Sequence, residues 1–231
     1  MKKMIIAAAT LAVCMTGIFA YTGRANDISM GFTFDNGILP DWEPLYNNAD
    51  MSIEKEENEN KYLKLSYNGN ANRGREYFDV SLDPIYPKGI LQVDYDVMYP
   101  EDIELGGSIQ LKRMQGPGEN ATDMVARVAV EYGYFRTQDK TGGLYSVVGV
   151  DGQKTAVEAG KWYSVKLIVD FEKAKQVLYI FDRDTEELLV YTEARDTVEG
   201  NTSINRITFS GRGEMCIDNV RIYNTRCEKL N

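Results

Sequence analysis

The sequence predicts an all-β chain folded as a two-sheet antiparallel β-sandwich of the jelly-roll kind, and three observations predict it. Between Trp162 and Phe181, two apolar runs flank the polar break Glu172-Lys173-Ala174-Lys175. Val165, Leu167, Val169 and Phe171 alternate with Ser164, Lys166 and Asp170, and Val177, Tyr179 and Phe181 are expected to repeat the alternation on a return strand. A hairpin this apolar needs a facing sheet, because two strands alone cannot hide that surface from water. Second, β-like segments recur along the chain between turn signals such as Asp83-Pro84, Pro87-Lys88-Gly89, Gly116-Pro117-Gly118 and Asp151-Gly152. Third, no segment has a convincing helical period, and no repeat of roughly 20–50 residues is evident.

Residues 1–20 stand apart from this pattern. Lys2 and Lys3 precede the apolar run Met4 to Val13, and Ile18-Phe19-Ala20 reads as a cleavage site. This is the form of a bacterial secretory signal peptide, leaving residues 21–231 as one domain that is secreted or held at the cell surface. Leu11-Ala12-Val13-Cys14 resembles a lipobox, but Val13 is bulkier than the small residue usual before a lipidated cysteine, which favours the ordinary leader. No later apolar run approaches the roughly 20 residues of a membrane span.

Ile28 to Phe34 reads as the first strand, closed by Asp35-Asn36-Gly37 and Pro40. Met51 to Glu56 and Tyr62 to Tyr67 form a predicted hairpin across Glu57-Asn58-Glu59-Asn60, whose charges suit a solvated tip. Further strands are expected at Arg75 to Leu82, Ile90 to Tyr99, Ser108 to Met114, Met124 to Arg136 as one strand, and Leu144 to Val150. After the central hairpin come Leu188 to Thr192, Ile204 to Phe209 and Met215 to Tyr223. Cys216 and Cys227 remain once a leader carrying Cys14 is removed; a bridge between them needs the tail to fold back sharply, so bridged and free forms both stay open.

The charge balance narrows the partners. With 35 acidic against 26 basic residues, the formal net charge is −9, which disfavours nucleic acid and anionic membranes, although a local basic cluster can outvote the total. The chain has no histidine, which removes Ser-His, Cys-His and histidine-based metal sites together. No phosphate-cradling glycine loop precedes a helix, and no CxxC pair occurs.

Lys61-Tyr62-Leu63-Lys64-Leu65, then Lys161-Trp162-Tyr163-Ser164-Val165 leading a hairpin, then Ile217-Asp218-Asn219-Val220-Arg221-Ile222-Tyr223 closing the fold, together resemble the concanavalin A-like lectin/glucanase superfamily, particularly its laminin-G-like bacterial modules. The resemblance spans nearly all of residues 21–231. It implies a curved sandwich whose concave face often binds glycans, in a superfamily that also holds glycosidases and polysaccharide lyases.

Laid side by side, the polar faces of the predicted strands suit a sugar. Arg75, Tyr77 and Asp79, then Gln92, Asp94 and Asp96, then Gln110 and Lys112, then Arg127 and Glu131, and finally Tyr145 alternate with apolar residues. If those strands are neighbours, one sheet presents a continuous polar surface, with Arg75, Tyr77, Asp94, Lys112, Arg127, Glu131 and Tyr145 as the ligand-binding set. Tyrosine rings stack on pyranose faces, and carboxylates, amides and arginine hydrogen-bond hydroxyls. An ordinary solvated face reads the same way. A glycosidase needs two carboxylates about 5–10 Å apart, and the ExDxE strand of such enzymes is missing. A lyase would draw on Tyr132, Tyr134 and Arg136 with Tyr145 and Lys112, but the Gln-x-His segment of such enzymes is missing too.

Asp218 is the polar anomaly. Counted by twos it shares a face with Cys216, Val220 and Ile222, so it should point into the core, where a lone carboxylate is costly. Calcium would resolve this, with Asp35 as a second ligand, since the resemblance places the first and last strands close together. A salt bridge, or a β-bulge that turns Asp218 outward, would resolve it equally. Trp162 should be packed; Trp42, in a loop after Pro40, is the better exposed candidate for a ligand platform, with burial under the sandwich edge equally open. The expected function is non-catalytic binding of a polysaccharide. A polysaccharide-cleaving enzyme and an extracellular adhesion or structural module are the alternatives.

Overall fold

A computed structural model describes residues 28–41, 43–44, 49–67, 76–86, 89–100, 106–113, 124–199, 204–211 and 213–225. The leader, Trp42, Arg75 and Cys227 lie outside the described residues. Sixteen strands are present among them: β1 (Ile28–Phe32), β2 (Glu43–Pro44), β3 (Ala49–Lys55), β4 (Lys61–Tyr67), β5 (Glu76–Tyr86), β6 (Ile90–Met98), β7 (Ser108–Lys112) and β8 (Met124–Glu131), followed by β9 (Tyr134–Gln138), β10 (Leu144–Ser146), β11 (Trp162–Asp170), β12 (Lys175–Asp182), β13 (Leu188–Tyr191), β14 (Arg195–Asp196), β15 (Ile204–Gly211) and β16 (Gly213–Thr225).

They form two antiparallel sheets. The larger has the order β13-β12-β11-β6-β16-β4-β3, with β1 also on β16 and β14 on β12; the smaller runs β10-β9-β8-β7-β15-β5-β2. The last two strands are interior: β15 lies between β7 and β5, and β16 between β6 and β4. Among the described residues no helix is long and apolar enough to cross a membrane.

The core forms because alternate residues of both sheets turn inward. Leu65, Val93, Leu167, Ile180 and Ile217 from the larger sheet meet Phe78, Leu111, Val128, Phe135 and Phe209 from the smaller in one buried cluster. The central hairpin is where it was expected, pairing Val165 with Ile180 and Leu167 with Leu178. That register corrects the phase of the return strand. Leu178 and Ile180 enter the core, while Val177 and Tyr179 turn outward to bury with Ile90 and Ile168 in a second cluster that Phe181 packs against. A strand buried on both faces reads as a continuous apolar run, so alternation could not fix its phase. Trp162 is packed, with Tyr62 edge-on at 5.4 Å and the Arg183 guanidinium 4.4 Å from its ring centroid.

Two further expectations change. The single strand expected from Met124 to Arg136 is two strands, β8 and β9, joined by the tight turn Tyr132-Gly133. The closing strand is also bulged: its register against β6 shifts between Asp218 and Arg221, and Asn219 has φ +50°. Met215 and Ile217 point inward before the bulge, Val220 and Ile222 after it, and Cys216 and Asp218 face outward. Asp218 is therefore not in the apolar core.

Candidate functional site

The outward face of the smaller sheet gathers most of the expected polar set. With Ile109, Leu111, Val128, Val130 and Phe135 inward, the opposite phase carries Ser108, Gln110 and Lys112 on β7, Arg127 and Glu131 on β8, Tyr134 and Arg136 on β9, and Arg206, Thr208 and Ser210 on β15. Register fixes who faces whom: Gln110 stands between Thr208 and Arg127, Lys112 opposite Arg206, and Glu131 opposite Tyr134. Tyr77 pairs with Ser210 along the backbone of β5.

These groups are hydrogen-bonded to one another. The Ser108 and Ser210 hydroxyls lie 2.6 Å apart, and Gln110 Nε2 donates to both, at 2.9 and 2.8 Å. Glu131 accepts from Arg127 Nη2 at 3.2 Å on one oxygen and from Arg136 Nη1 at 2.9 Å on the other. Arg136 Nη2 also donates to the Leu144 carbonyl at 2.5 Å. Lys112, Arg127 and Glu131 are buried although they point away from the core, so their charges are held in a poorly screened setting.

At the rim the face becomes aromatic. Tyr132 and Gly133 have φ +56° and +75°, positive at both central positions as a type I′ hairpin turn requires. Asn, Asp or Gly normally fills the first of these, because a side chain with a Cβ pays about 1–2 kcal/mol in the left-handed region. Here a tyrosine fills it with its ring 64 % exposed, so packing returns little for the strain. Tyr134 is 37 % exposed beside it. The Arg136 guanidinium lies 5.9 Å from the Tyr132 ring and Lys154 Nζ 5.8 Å from the Tyr134 ring. The expected ligand set omitted these tyrosines because the turn was read as strand; Gly133 was the sequence signal for it.

Two members of the expected set belong elsewhere. Asp94 lies on β6 in the larger sheet, so the single continuous surface is divided between two sheets. There Gln92 Nε2 donates to both of its oxygens at 2.9 Å, and it lines a pocket of about 310 Å³ with Asp96, Ser164, Lys166 and Arg221. Burial raises the Asp94 pKa, opposed by Lys166, Gln92 and Arg221. Tyr145 pairs with Thr137, which pairs with core residue Val128, so it occupies the inward phase at the sheet's edge. The Arg195 guanidinium sits 4.8 Å from its ring, and the ring borders two pockets of about 410 and 420 Å³.

Asp218 faces Asp96 across β16 and β6. Its carboxylate accepts from Asn60 Nδ2 at 3.0 Å, Asn219 Nδ2 at 3.2 Å and the Asn219 backbone N–H at 2.7 Å. Asn219 Nδ2 also reaches Asp96 at 2.9 Å, and Ser164 Oγ donates to Asp96 at 2.6 Å. Burial raises the Asp218 pKa, the Asn60 and Asn219 bonds oppose this, and Asp96 and Asp35 add to it. The bulge and these amides thus meet the Asp218 carboxylate outside the apolar core. Asp35 is exposed in the turn after β1, and among the described residues no group of three or more His, Cys, Asp or Glu could hold a metal ion. Cys216 is a buried free cysteine whose thiol burial pushes up to about 12.

No family model and no curated protein matches the chain. Solved structures do. The cellulose-induced protein Cip1 aligns at TM-score 0.58 with 11% identity, over 86% of this chain and 99% of that one. Peanut lectin aligns at TM-score 0.55 with 10% identity, over 85% and 97%. A sialidase aligns at TM-score 0.57 with 14% identity over 87% of this chain, which spans 19% of the sialidase's length. The chain thus has the lectin-like, concanavalin A-like β-sandwich fold.

Proposed function

We propose that the protein binds a polysaccharide at the exposed rim of the smaller sheet, around Tyr132, Tyr134 and Arg136, and does not cleave it. The observation that carries this reading is Tyr132: an exposed ring held in a strained turn, with Tyr134 and Arg136 beside it. Two tyrosine rings offer stacking surface for pyranose faces, and Arg136, backed by Glu131 and Arg127, is a preorganised donor for hydroxyls. The lectin named above shares the fold, which supports the choice of ligand class by analogy. Among the described side chains this face carries one carboxylate, Glu131, which two arginines engage; that favours binding over a two-carboxylate glycosidase. The leader-like residues 1–20 support an extracellular place of action, secreted or at the cell surface.

The test is affinity electrophoresis of the purified protein through gels containing plant and microbial polysaccharides, with calcium and with chelator. Selective retardation that Tyr132→Ala and Tyr134→Ala each weaken by about tenfold is expected, since an aromatic platform contributes of the order of 1–2 kcal/mol. Unretarded migration through every gel sinks the reading. Loss of retardation in chelator would bring an ion at Asp35 and Asp218 into it. Appearance of unsaturated sugar ends would move the protein to the lyases.

A further inference from the structure

We infer that the outward face of the larger sheet holds a second sugar site, a pocket that takes one neutral sugar unit, either a chain end or a free monosaccharide. The inference does not rest on the tyrosine rim, which belongs to the other sheet. At about 310 Å³ the pocket is at the small end of the roughly 300–1,000 Å³ that small-molecule sites occupy, so it suits a single pyranose better than a length of chain. Cross-strand register builds it from two rows. Lys166, Asp94 and Arg221 face one another across β11, β6 and β16, and in the row beside them Phe181, Ser164, Asp96 and Asp218 run from β12 to β16.

The anions and the cations of this pocket are left in different states. The carboxylates are fixed by neutral donors: Gln92 Nε2 holds both Asp94 oxygens, and Ser164 Oγ and Asn219 Nδ2 hold one Asp96 oxygen each. The cations are not fixed. Lys166 and Arg221 stand on either side of Asp94 and act on it through their charge, yet neither has a side-chain hydrogen bond or an ion pair among the described residues. Arg221 is exposed and Lys166 half-buried, so both are open to a ligand.

The signs select that ligand. An anion drawn to Lys166 and Arg221 meets Asp94 and Asp96, with Asp218 next in the row, and a cation drawn to the carboxylates meets Lys166 and Arg221. A hydroxyl donates and accepts at once. Neighbouring hydroxyls can therefore accept from Lys166 and Arg221 and donate to the half-buried Asp94 carboxylate between them, whose acceptor positions Gln92 fills only in part. Such bonds to charged groups are about twice as strong as neutral ones. The half-buried Phe181, stacked on Tyr179 with ring centroids 6.5 Å apart, lines the same pocket and gives the C–H face of a pyranose an aromatic wall.

The experiment titrates the whole protein with the methyl glycosides of glucose, galactose, mannose, xylose, arabinose and N-acetylglucosamine, and with glucuronate, galacturonate and glucosamine, followed by saturation-transfer NMR and calorimetry. At least one neutral glycoside should bind with a Kd of about 1 mM, the scale expected of so small a ligand, and more tightly than its charged counterpart. Arg221→Gln and Lys166→Met break no described hydrogen bond or ion pair, so the urea midpoint should hold, and each should weaken binding about tenfold. No binding of any neutral glycoside at several times that Kd overturns the pocket. So does a uronate or an amino sugar that binds as tightly as its neutral counterpart. Binding that both variants leave unchanged and Tyr132→Ala abolishes overturns it as well, since the sugar then sits on the rim. Polysaccharide retardation, measured separately, reports on the rim, and its presence or absence decides that reading whichever way the pocket falls.

Discussion

Both outward faces of the sandwich carry charged side chains, and these are finished differently. On the larger sheet the charges in question are carboxylates, Asp94, Asp96 and Asp218, and each is met by a neutral donor from the chain itself: Gln92, Ser164, Asn60 or Asn219. On the smaller sheet Glu131 bridges Arg127 and Arg136, and the Nε of each arginine is left buried without a hydrogen-bond partner. A polar group whose bonds are completed internally is part of the architecture. One with bonding capacity left over in a buried place is a cost that the fold carries for some other reason.

The sharpest way to break this contrast is to remove the carboxylate that holds the smaller face together. Glu131→Ala leaves Arg127 and Arg136 without their counter-ion and should cost about 3–5 kcal/mol, read as a fall in the urea midpoint at unchanged slope. A midpoint within error of the wild type would show that the pair does not organise the face. On the larger sheet, Asn60→Ala removes a donor to a buried carboxylate, and about 2 kcal/mol of stability should go with it at neutral pH. That deficit should shrink in acid, where Asp218 is protonated. Tyr132→Asn works in the opposite direction, because asparagine tolerates the left-handed turn. It should stabilise the fold by about 1 kcal/mol while weakening glycan retardation, so one substitution separates what the ring does for folding from what it does for binding.

The smallest effect is the pH profile of the melting temperature. Asp94 and Asp218 have folded pKa values raised above the ordinary 3.8, mainly by burial, so between the two values the folded state holds more protons than the unfolded chain. Stability from these two groups therefore rises as pH falls through that window. Asp182 behaves oppositely. The Lys161 ammonium draws it down to about 2, so its contribution is present above its unfolded value and lost as pH falls toward 2. Melting temperature should climb modestly from neutral to mildly acidic pH and then drop, and Asp94→Asn should flatten the climb. An unaltered climb in that variant would remove Asp94 as its source.

The strand content was legible because alternation and turn residues are local signals. The hairpin around Glu172-Lys173-Ala174-Lys175 and the one across Glu57-Asn58-Glu59-Asn60 both form where these signals put them. The pairing of sheets was not legible. Period-2 polarity shows that Asp94 and Arg127 both turn outward, but it cannot say that they do so from opposite layers, because strand order is set by contacts distant in sequence. The bulge at Asn219 escaped for a related reason: a single extra residue shifts the phase without changing composition, so counting by twos carried Asp218 into the core. Tyr132 was legible as a candidate residue, but its turn was not, because its residue type argues against the conformation it adopts.

The interior positions of β15 and β16 also bear on how the molecule comes into being. Strands β5 and β7 of one sheet, and β4 and β6 of the other, are joined only through segments made near residue 204 and beyond. A chain ending before residue 200 lacks the middle strand of each layer, so β2 and β5 are cut off from β7 to β10, and β3 and β4 from β6 and β11 to β13. Completing both sheets therefore takes closures between segments distant in sequence, which are slow.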